Sequence, residues 1–165
     1  MAVVNRLSTA LTNRDTVPRI NNPPYLSGGT RQQQRATFEL ANGDSIGSTY
    51  RFASVPSGAI INSIRVFCDA ITSGAMDVGV YRNTDAGSAV VLATAYATAQ
   101  SIASAIVTGT EVAFEARDIA NVEKRVWEDA GLTTDPGGTL DLVGTLTAAT
   151  TAAGTLSFIV DYTVP

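Results

Sequence analysis

The stretch "INSIRVFCDA", residues 61–70, alternates apolar and polar side chains with a period of two. One side of an extended chain would carry the apolar residues Ile64, Val66 and Cys68. This alternation predicts a β-strand with one buried face and one solvated face. Phe67, however, lies between Arg65 and Asp69 on the polar side. The stretch therefore predicts a sheet protein with an aromatic side chain on a surface that should meet water.

Similar runs follow one another from residue 35 to the C-terminus and are separated by short turns. The turn sequences are "ANGD", "PSGA", "TSGA" and "NTDAG". Short strands at a spacing of roughly ten residues, punctuated by glycine, proline and asparagine, are typical of sandwiches and barrels. We therefore predict an all-β fold over residues 35–165, an antiparallel two-sheet, jelly-roll-like sandwich of eight or nine strands.

Two segments interrupt this pattern. Residues 118–131, "DIANVEKRVWEDAG", place apolar residues three or four apart and predict one short helix near 119–130. Residues 90–107, "VVLATAYATAQSIASAIV", combine alanine with β-branched residues, so they fit either a helix or strands. We interpret them as two short strands, followed by a strand at "TEVAFEA" with Val112 and Phe114 inward.

Two hairpins are predicted from the alternation. The first pairs residues 61–70 with "MDVGVYR" and sets Phe67 opposite Tyr81 on the outer face. The second pairs "TLDLVGTLTA" with "TLSFIVDYTV" and sets Gly144 opposite Phe158, whose ring could cover the missing side chain. A cross-strand aromatic pair flanked by charges has the composition of a protein interface. The residues of this candidate interface are Arg65, Phe67, Asp69 and Tyr81.

Residues 1–34 are predicted to form an extended N-terminal arm. The segment "PRINNPPYLSGGTRQQQ" is rich in proline and glycine, which disrupt helices and strand ladders. Residues 1–35 carry five arginines against one acid, Asp15, whereas the whole chain has a net charge of −4. With no lysine and one aromatic, nucleic acid is an improbable partner, and an acidic protein surface is the better match. The arm's interface candidates are Arg6, Arg14, Arg19, Tyr25 and Arg31.

The composition offers little for catalysis. The chain has no histidine, so the commonest general base is missing, and one cysteine, which we expect to be a buried core thiol. We predict no enzymatic activity, no catalytic or metal-binding residues and no cofactor. Oxygen ligands for a cation could come from Asp135 and Asp141, or from Asn83 and Asp85, but turn chemistry explains these residues equally. Trp127 could form a sugar platform, although anchoring the helix is the better explanation.

The charge content and hydropathy bear on partners and location. Charged residues make up only 16% of the chain, which favours a surface partly covered by neighbouring subunits. The sequence shows neither a signal peptide nor an apolar run long enough to cross a membrane, so we expect no membrane association.

The segments "GSTYRFASVPSGAIINSIRVFCDAIT", "EKRVWEDAGLTTDPGG" and "LDLVGTLTAATTAAGTLSFIVDYTV" resemble small structural proteins of tailed bacteriophages, of the head decoration or cement type. The resemblance spans residues 35–165. It implies an oligomeric sandwich, expected to be a homotrimer, which is made in the host bacterial cytoplasm and then sits on the outer surface of the virion head. Its arm would bind the major capsid protein and stabilise contacts between capsomers. A tail, neck or head-fibre component and a carbohydrate-binding module are the alternatives.

Overall fold

The computed structural model describes residues 6–24, 26–84 and 86–165. Two short α-helices, α1 (Thr9–Asp15) and α2 (Val126–Asp129), accompany eight strands in the described residues. The strands are β1 (Thr30–Leu40), β2 (Thr49–Pro56), β3 (Ile60–Cys68), β4 (Ala75–Arg82), β5 (Val90–Ser101), β6 (Ile106–Glu111), β7 (Thr139–Ala148) and β8 (Gly154–Val164). Neither described helix is long and apolar enough to cross a membrane.

The strands form two four-stranded antiparallel sheets. Sheet I has the order β1-β8-β3-β6, and sheet II has the order β2-β7-β4-β5. This is the jelly-roll arrangement, in which the chain passes repeatedly from one sheet to the other. The predicted fold class is confirmed.

The core lies between the inward faces of the two sheets. Sheet I contributes alternate residues of β3 and β8, and sheet II contributes alternate residues of β4 and β7, as the period of two requires. The Phe158 ring stacks on Phe52 from the opposite sheet, with centroids 4.1 Å apart. The side chains at the centre include Ile64, Val66, Val78, Val80, Leu140, Leu142, Leu146, Leu156 and Val160, all of them buried.

Both predicted hairpins are wrong, because β3 and β4, like β7 and β8, belong to different sheets. The connections between them are not tight turns. In the first, Ile71 is fully buried, so the loop crosses over the end of the core. In the second, the backbone and hydroxyl of Thr150 hydrogen-bond with Ala41, Gly43 and Asp44. Each loop is thus held at the end of the sandwich, and the strand after it enters the other sheet.

The contact expected between Gly144 and Phe158 nevertheless exists, but across the core. A Cβ atom added to Gly144 would lie 3.4 Å from Cζ of Phe158. Gly144 pairs with Tyr50 and Val78 in sheet II, whereas Phe158 pairs with Ala36 and Val66 in sheet I. The ring covers the glycine from the facing sheet and not from a neighbouring strand.

The segment 90–107 contains one long strand and the start of the next. β5 bulges strongly against β4, because the pairing moves from Val78–Ala97 to Val80–Leu92. Gly79 lies between these pairs, and a Cβ atom there would overlap the backbone of Leu92 and Ala93. The strand expected at residues 110–116 ends at Glu111, although Val112 is buried and Phe114 packs against the core as predicted.

The helix predicted near 119–130 is divided into a 3-10 turn, Ile119–Asn121, and the four-residue helix α2. Ile119 remains 80% exposed, so the apolar periodicity of this segment does not define one buried face. The Arg117 guanidinium donates to the carbonyl oxygens of Asn121 and Lys124 at 2.6 and 3.2 Å. A continuous helix would need these carbonyls for its own hydrogen bonds, which explains the interruption.

The N-terminal segment, expected to be irregular, contains the helix α1, whose first turn Ser8 caps by accepting from the Leu11 amide. After the helix the chain folds back, and the Asn22 side chain binds Asn13 and the carbonyl of Ala10. β1 begins at Thr30, five residues before the strand start expected at Arg35.

The single thiol, on Cys68, is buried and unpaired, as predicted. Its sulfur lies 3.7 and 3.5 Å from the carbonyl oxygens of Ile102 and Ser104. Burial raises the pKa of the Cys68 thiol, which further lowers the fraction of reactive thiolate.

We therefore expect a thiol reagent to modify native Cys68 at least about a hundredfold more slowly than the denatured chain, because labelling must await local opening. Stopped-flow labelling in buffer and in denaturant measures this ratio. Similar rates in the two conditions would contradict the inward placement of Cys68.

Candidate interaction surface

The outer surface of sheet I, called face I below, carries the sequence-predicted interface residues that the structure brings together. The side chains of face I come from three adjacent strands in register. They are Arg31, Gln33, Arg35, Thr37 and Glu39 of β1, Thr155, Ser157, Ile159 and Asp161 of β8, and Ser63, Arg65 and Phe67 of β3, with Asp69 directly after β3.

Phe67 lies half-buried on face I and is supported from the neighbouring strand β6. A Cβ atom on Gly109 would lie 2.6 Å from the Phe67 ring, and Gly109 has a φ of 78°. Glycine is thus needed at position 109 both for its backbone conformation and for the close approach of the ring. The Arg65 guanidinium lies 5.7 Å from the ring centroid, within cation–π range.

Two shallow depressions flank the Phe67 ring. One, of about 370 Å³, is also lined by Arg35 and Ile159. The other, of about 230 Å³, is lined by Ile106, Val107 and Asp69. A half-buried ring between two partly apolar depressions can receive side chains from another protein surface.

Asp161 anchors the opposite end of face I. Its carboxylate accepts hydrogen bonds from Gln33 at 3.0 Å and Ser63 at 3.1 Å, and Arg31 lies 3.5 Å away. Burial opposes ionisation of this carboxyl, but these hydrogen bonds and the Arg31 charge outweigh it and lower its pKa. Arg31 nevertheless keeps a side chain that is 70% exposed, so it remains available to a partner.

Tyr81 does not belong to this surface, and the predicted Phe67–Tyr81 pair is wrong. Tyr81 lies on β4 in sheet II and is only 4% exposed. Its hydroxyl is 2.6 Å from the Thr145 hydroxyl, and Arg51 lies 5.5 Å from its ring centroid. The error follows from the hairpin assumption, since only a hairpin would have placed β4 beside β3.

The arm residues Arg6, Arg14 and Arg19 are exposed, and Tyr25 lies outside the described residues. Arg14 binds Asp15 through two hydrogen bonds of 2.7 and 3.0 Å. In the described part of the chain, every hydrogen bond and ion pair of residues 8–22 has its partner within that segment. Residues 8–22 thus make no polar contact with the sandwich, whereas the end of the predicted arm, from Thr30, is part of β1 and pairs with β8.

The carboxylates considered as cation ligands have other partners. Asp135 accepts from the Ser57 hydroxyl at 2.6 Å and from the Gly137 amide, and these hydrogen bonds lower its pKa. Asp141 pairs with Arg51 at 2.8 Å. Asn83 caps its own turn by accepting from the Ala86 amide, and Asp85 lies outside the described residues. Within residues 6–24, 26–84 and 86–165, no three His, Cys, Asp or Glu side chains are grouped to hold a metal ion.

Trp127 lies in the short helix α2 and packs partly against the core. The Arg125 guanidinium lies 4.8 Å from its ring centroid. This placement fits the anchoring role better than an open platform for a sugar ring.

Sequence reasoning missed a buried polar network at the end of the sandwich near α2. The side chains of Arg117 and Asp129 are each 1% exposed and form an ion pair of 3.0 Å. Arg117 also donates to the carbonyl of Ile61, and the Tyr96 hydroxyl donates to Asp129. Burial raises the pKa of Asp129 to about 6, although Arg117 and Tyr96 act in the opposite direction. No pattern of spacing links Tyr96, Arg117 and Asp129, so the sequence alone could not reveal this group.

Comparison with known proteins shows similarity of fold. No protein-family profile matches the chain, and no curated protein matches it by sequence. A chain in the capsid asymmetric unit of cyanophage Pam1 aligns with a TM-score of 0.56 and 18% identity, over 89% of this chain and 94% of that one. A chain in the capsid of Ralstonia phage GP4 aligns with a TM-score of 0.51 and 12% identity, over 81% and 85%.

A chain in the acid-stable capsid of Helicobacter pylori bacteriophage KHP30 aligns more loosely, with a TM-score of 0.44 and 13% identity over 82% and 89%. The alignments with the Pam1 and GP4 chains, at 18% and 12% identity, show a shared fold. The chain has the jelly-roll fold of proteins found in bacteriophage capsids.

Proposed function

We propose that this protein is a structural component of a tailed-bacteriophage virion, a decoration or cement protein that binds the outer surface of the head. Its partner is the major capsid protein, and its role is to stabilise contacts between capsomers without catalysis. Fold similarity to chains in two phage capsids supports this proposal over a carbohydrate-binding module.

The observation that carries the proposal is the arm. Its apolar side chains are unusually exposed for a segment with defined local structure: Val17 is 94% exposed, and Leu7 and Ile20 are also exposed. Arg6 and Arg19 form no ion pair within the described residues. Such a segment gains contact area by lying along a second protein whose surface is apolar and acidic.

The test is a truncation that removes only the part of the arm that precedes β1. Gln32 and Gln34 bind the Tyr162 hydroxyl, and Gln34 also bridges the backbone amide and carbonyl of Ser54 on β2. A chain that starts at Arg35 would lose these contacts, so the deletion should cover residues 1–27. This variant should keep the melting temperature of the full chain, because the described residues of the deleted segment, 6–24, 26 and 27, make no hydrogen bond or ion pair with the sandwich.

Co-sedimentation with phage heads that lack the protein measures binding. The full chain is expected to pellet with the heads, and the truncated chain is expected to remain in the supernatant. A variant with Arg6→Gln and Arg19→Gln is the matched control for charge. At low salt it should bind the heads more weakly than the full chain does. At high salt, where the charge contribution is screened, the two should bind about equally.

Equal occupancy of heads by the full and truncated chains would refute the role of the arm and would transfer binding to face I. Failure of the full chain to bind any head would count against the decoration role. Mass spectrometry of purified heads and tails would then distinguish a tail, neck or fibre component. The homotrimer remains a prediction, which sedimentation equilibrium tests directly.

A further inference from the structure

Face I carries a repeated charge pattern on two strands. On β1 the outward residues run Arg35, Thr37, Glu39, and on β3 and its extension they run Arg65, Phe67, Asp69. Each series is thus basic, then neutral, then acidic, with one inward residue between successive members. Because β1 and β3 are both antiparallel to β8, they run in the same direction.

The pairing with β8 places the two series side by side. Arg35 and Arg65 both pair with Ile159, and Thr37 and Phe67 both pair with Ser157. Glu39 pairs with Thr155, and the Asp69 amide donates to the Thr155 carbonyl at 3.0 Å. Face I therefore has a basic row and an acidic row, each about 7 Å from a central row that contains Phe67.

These four charges have no ion-pair partner in the described part of the chain. Arg35 donates only to the Gln33 side chain, and Arg65 lies over Phe67. Glu111 stands opposite Arg65, but its Oε1 accepts from the backbone amides of Ile64 and Ala113. Charges that remain unpaired within a fold are available to a partner.

The two carboxylates of the acidic row likewise use only some of their oxygen atoms as hydrogen-bond acceptors within the chain. One oxygen of Glu39 accepts from the Thr155 hydroxyl at 2.9 Å, and one oxygen of Asp69 accepts from the Thr155 amide at 3.0 Å. Thr155 therefore holds both carboxylates at the surface, while the other oxygen of each has no hydrogen bond within the described residues. A guanidinium can approach both from outside.

We infer that face I binds face I of a second copy of this chain about a two-fold axis that runs along the central row. A half-turn about this axis reverses the strand direction and keeps each strand opposite its own counterpart. It places Arg35 over Glu39 of the second copy and Arg65 over its Asp69, so four ion pairs form across the contact. A two-fold contact is isologous, and this pattern meets its requirement of self-complementarity.

The apolar groups fit the same arrangement. Phe67 lies on the axis and meets its own counterpart, and the depressions on either side of each ring give the opposing ring a place to pack. Ile159 and the exposed Val107 of β6 extend the apolar area around this centre. A desolvated aromatic centre with charges at its rim is the usual composition of a specific interface.

The size of face I indicates a weak contact. Four strands and eight residues of strand length give an area of about 500 Å² per copy, less than the roughly 800 Å² of a standard interface. Such a contact forms at high protein concentration, or between copies that a common surface holds close together. It can produce a free dimer or join two neighbouring oligomers.

The test uses two double variants of the full chain. The first, Arg35→Glu with Arg65→Glu, makes both rows acidic, and the second, Glu39→Arg with Asp69→Arg, makes both rows basic. Each should self-associate about thirtyfold more weakly than the natural chain, since four ion pairs are replaced by like charges. Mixed together, the two should form a one-to-one complex, because every acid of one then faces an arginine of the other.

Sedimentation velocity over a concentration series, at low and high salt, measures these associations. The control variant, Arg82→Glu with Lys124→Glu, has the same change in net charge as the first variant at positions away from face I and should associate like the natural chain. Circular dichroism confirms folding of each variant. If substitution at Asp69 disturbs the Thr155 contact and unfolds the chain, Phe67→Asp serves instead, because it places two carboxylates together on the axis and should abolish association.

Three results would overturn the inference. They are a natural chain that stays monomeric at every concentration, association that the face I variants leave unchanged, and oppositely charged variants that do not combine when mixed.

Discussion

Replacement of Arg117 by methionine is expected to lower the free energy of unfolding by about 3–5 kcal/mol at neutral pH. Methionine keeps much of the side-chain length but donates no hydrogen bond. The change leaves Asp129 as a buried carboxylate without its counterion, and the carbonyls of Ile61, Asn121 and Lys124 lose a donor. Urea denaturation measures the loss.

The deficit of this variant should depend on pH. In the natural chain burial already raises the pKa of Asp129 to about 6, and Arg117 limits that rise. Without Arg117 the pKa rises further, so the folded variant binds a proton that the unfolded chain releases. Stability then falls as pH increases through the folded pKa, and the deficit should be largest above pH 7 and smaller near pH 5.

The double variant Arg117→Met with Asp129→Leu should recover most of the lost stability, because it leaves no buried charge. Arg14→Met is the control, since it removes an arginine from an exposed ion pair and should leave unfolding unchanged. A deficit that is independent of pH, or no recovery in the double variant, would show that lost packing and not the buried carboxylate causes the effect.

Replacement of Phe158 by alanine is expected to cost about 3–5 kcal/mol. The ring is fully buried, stacks on Phe52, and meets Phe38 edge to face at a centroid distance of 6.3 Å. It also fills the space above Gly144. Its removal leaves a cavity in the core between the two sheets, where the backbone is least able to relax.

Phe67→Ala is the matched control for Phe158→Ala. The Phe67 ring is half-exposed on face I and lies against Gly109, so its loss should cost only about 1 kcal/mol. Thermal and urea denaturation of both variants give the comparison. Equal losses would contradict the assignment of Phe158 to the centre and of Phe67 to the surface.

The period-two alternation was sufficient to predict which strand residues face the core. Inward residues such as Val66, Val80, Leu142 and Val160 follow directly from it, because the side-chain direction of an extended chain is a local property. The breaks between strands were recognised for the same reason, since glycine, proline and asparagine act on the backbone of their own segment. Fold class and the buried thiol followed from these two local signals.

Partner strands could not be predicted in this way. Alternation predicts which face of β3 is buried, but it does not predict whether β4 or β8 lies beside β3. A hairpin and a loop that crosses between the sheets are both compatible with the same pattern. The choice depends on contacts such as Ile71 in the end of the core and Thr150 against residues 41–44. Tyr81 was misplaced for this reason, whereas Phe67, whose exposure depends only on its own strand, was not.

The sequence by itself thus determined an all-β chain with alternating faces, a cysteine directed inward and an arginine-rich N-terminal segment, since each depends on neighbours along the chain. Only the tertiary structure decided the rows of face I and the pairing of Arg117 with Asp129. Both depend on residues from different strands and loops meeting in space. The pairing of both strands with β8 aligns the charges of β1 with those of β3. Near α2, the packing of the chain brings together Arg117 and Asp129, which are twelve residues apart. Such juxtapositions arise from long-range packing, which local periodicity does not encode.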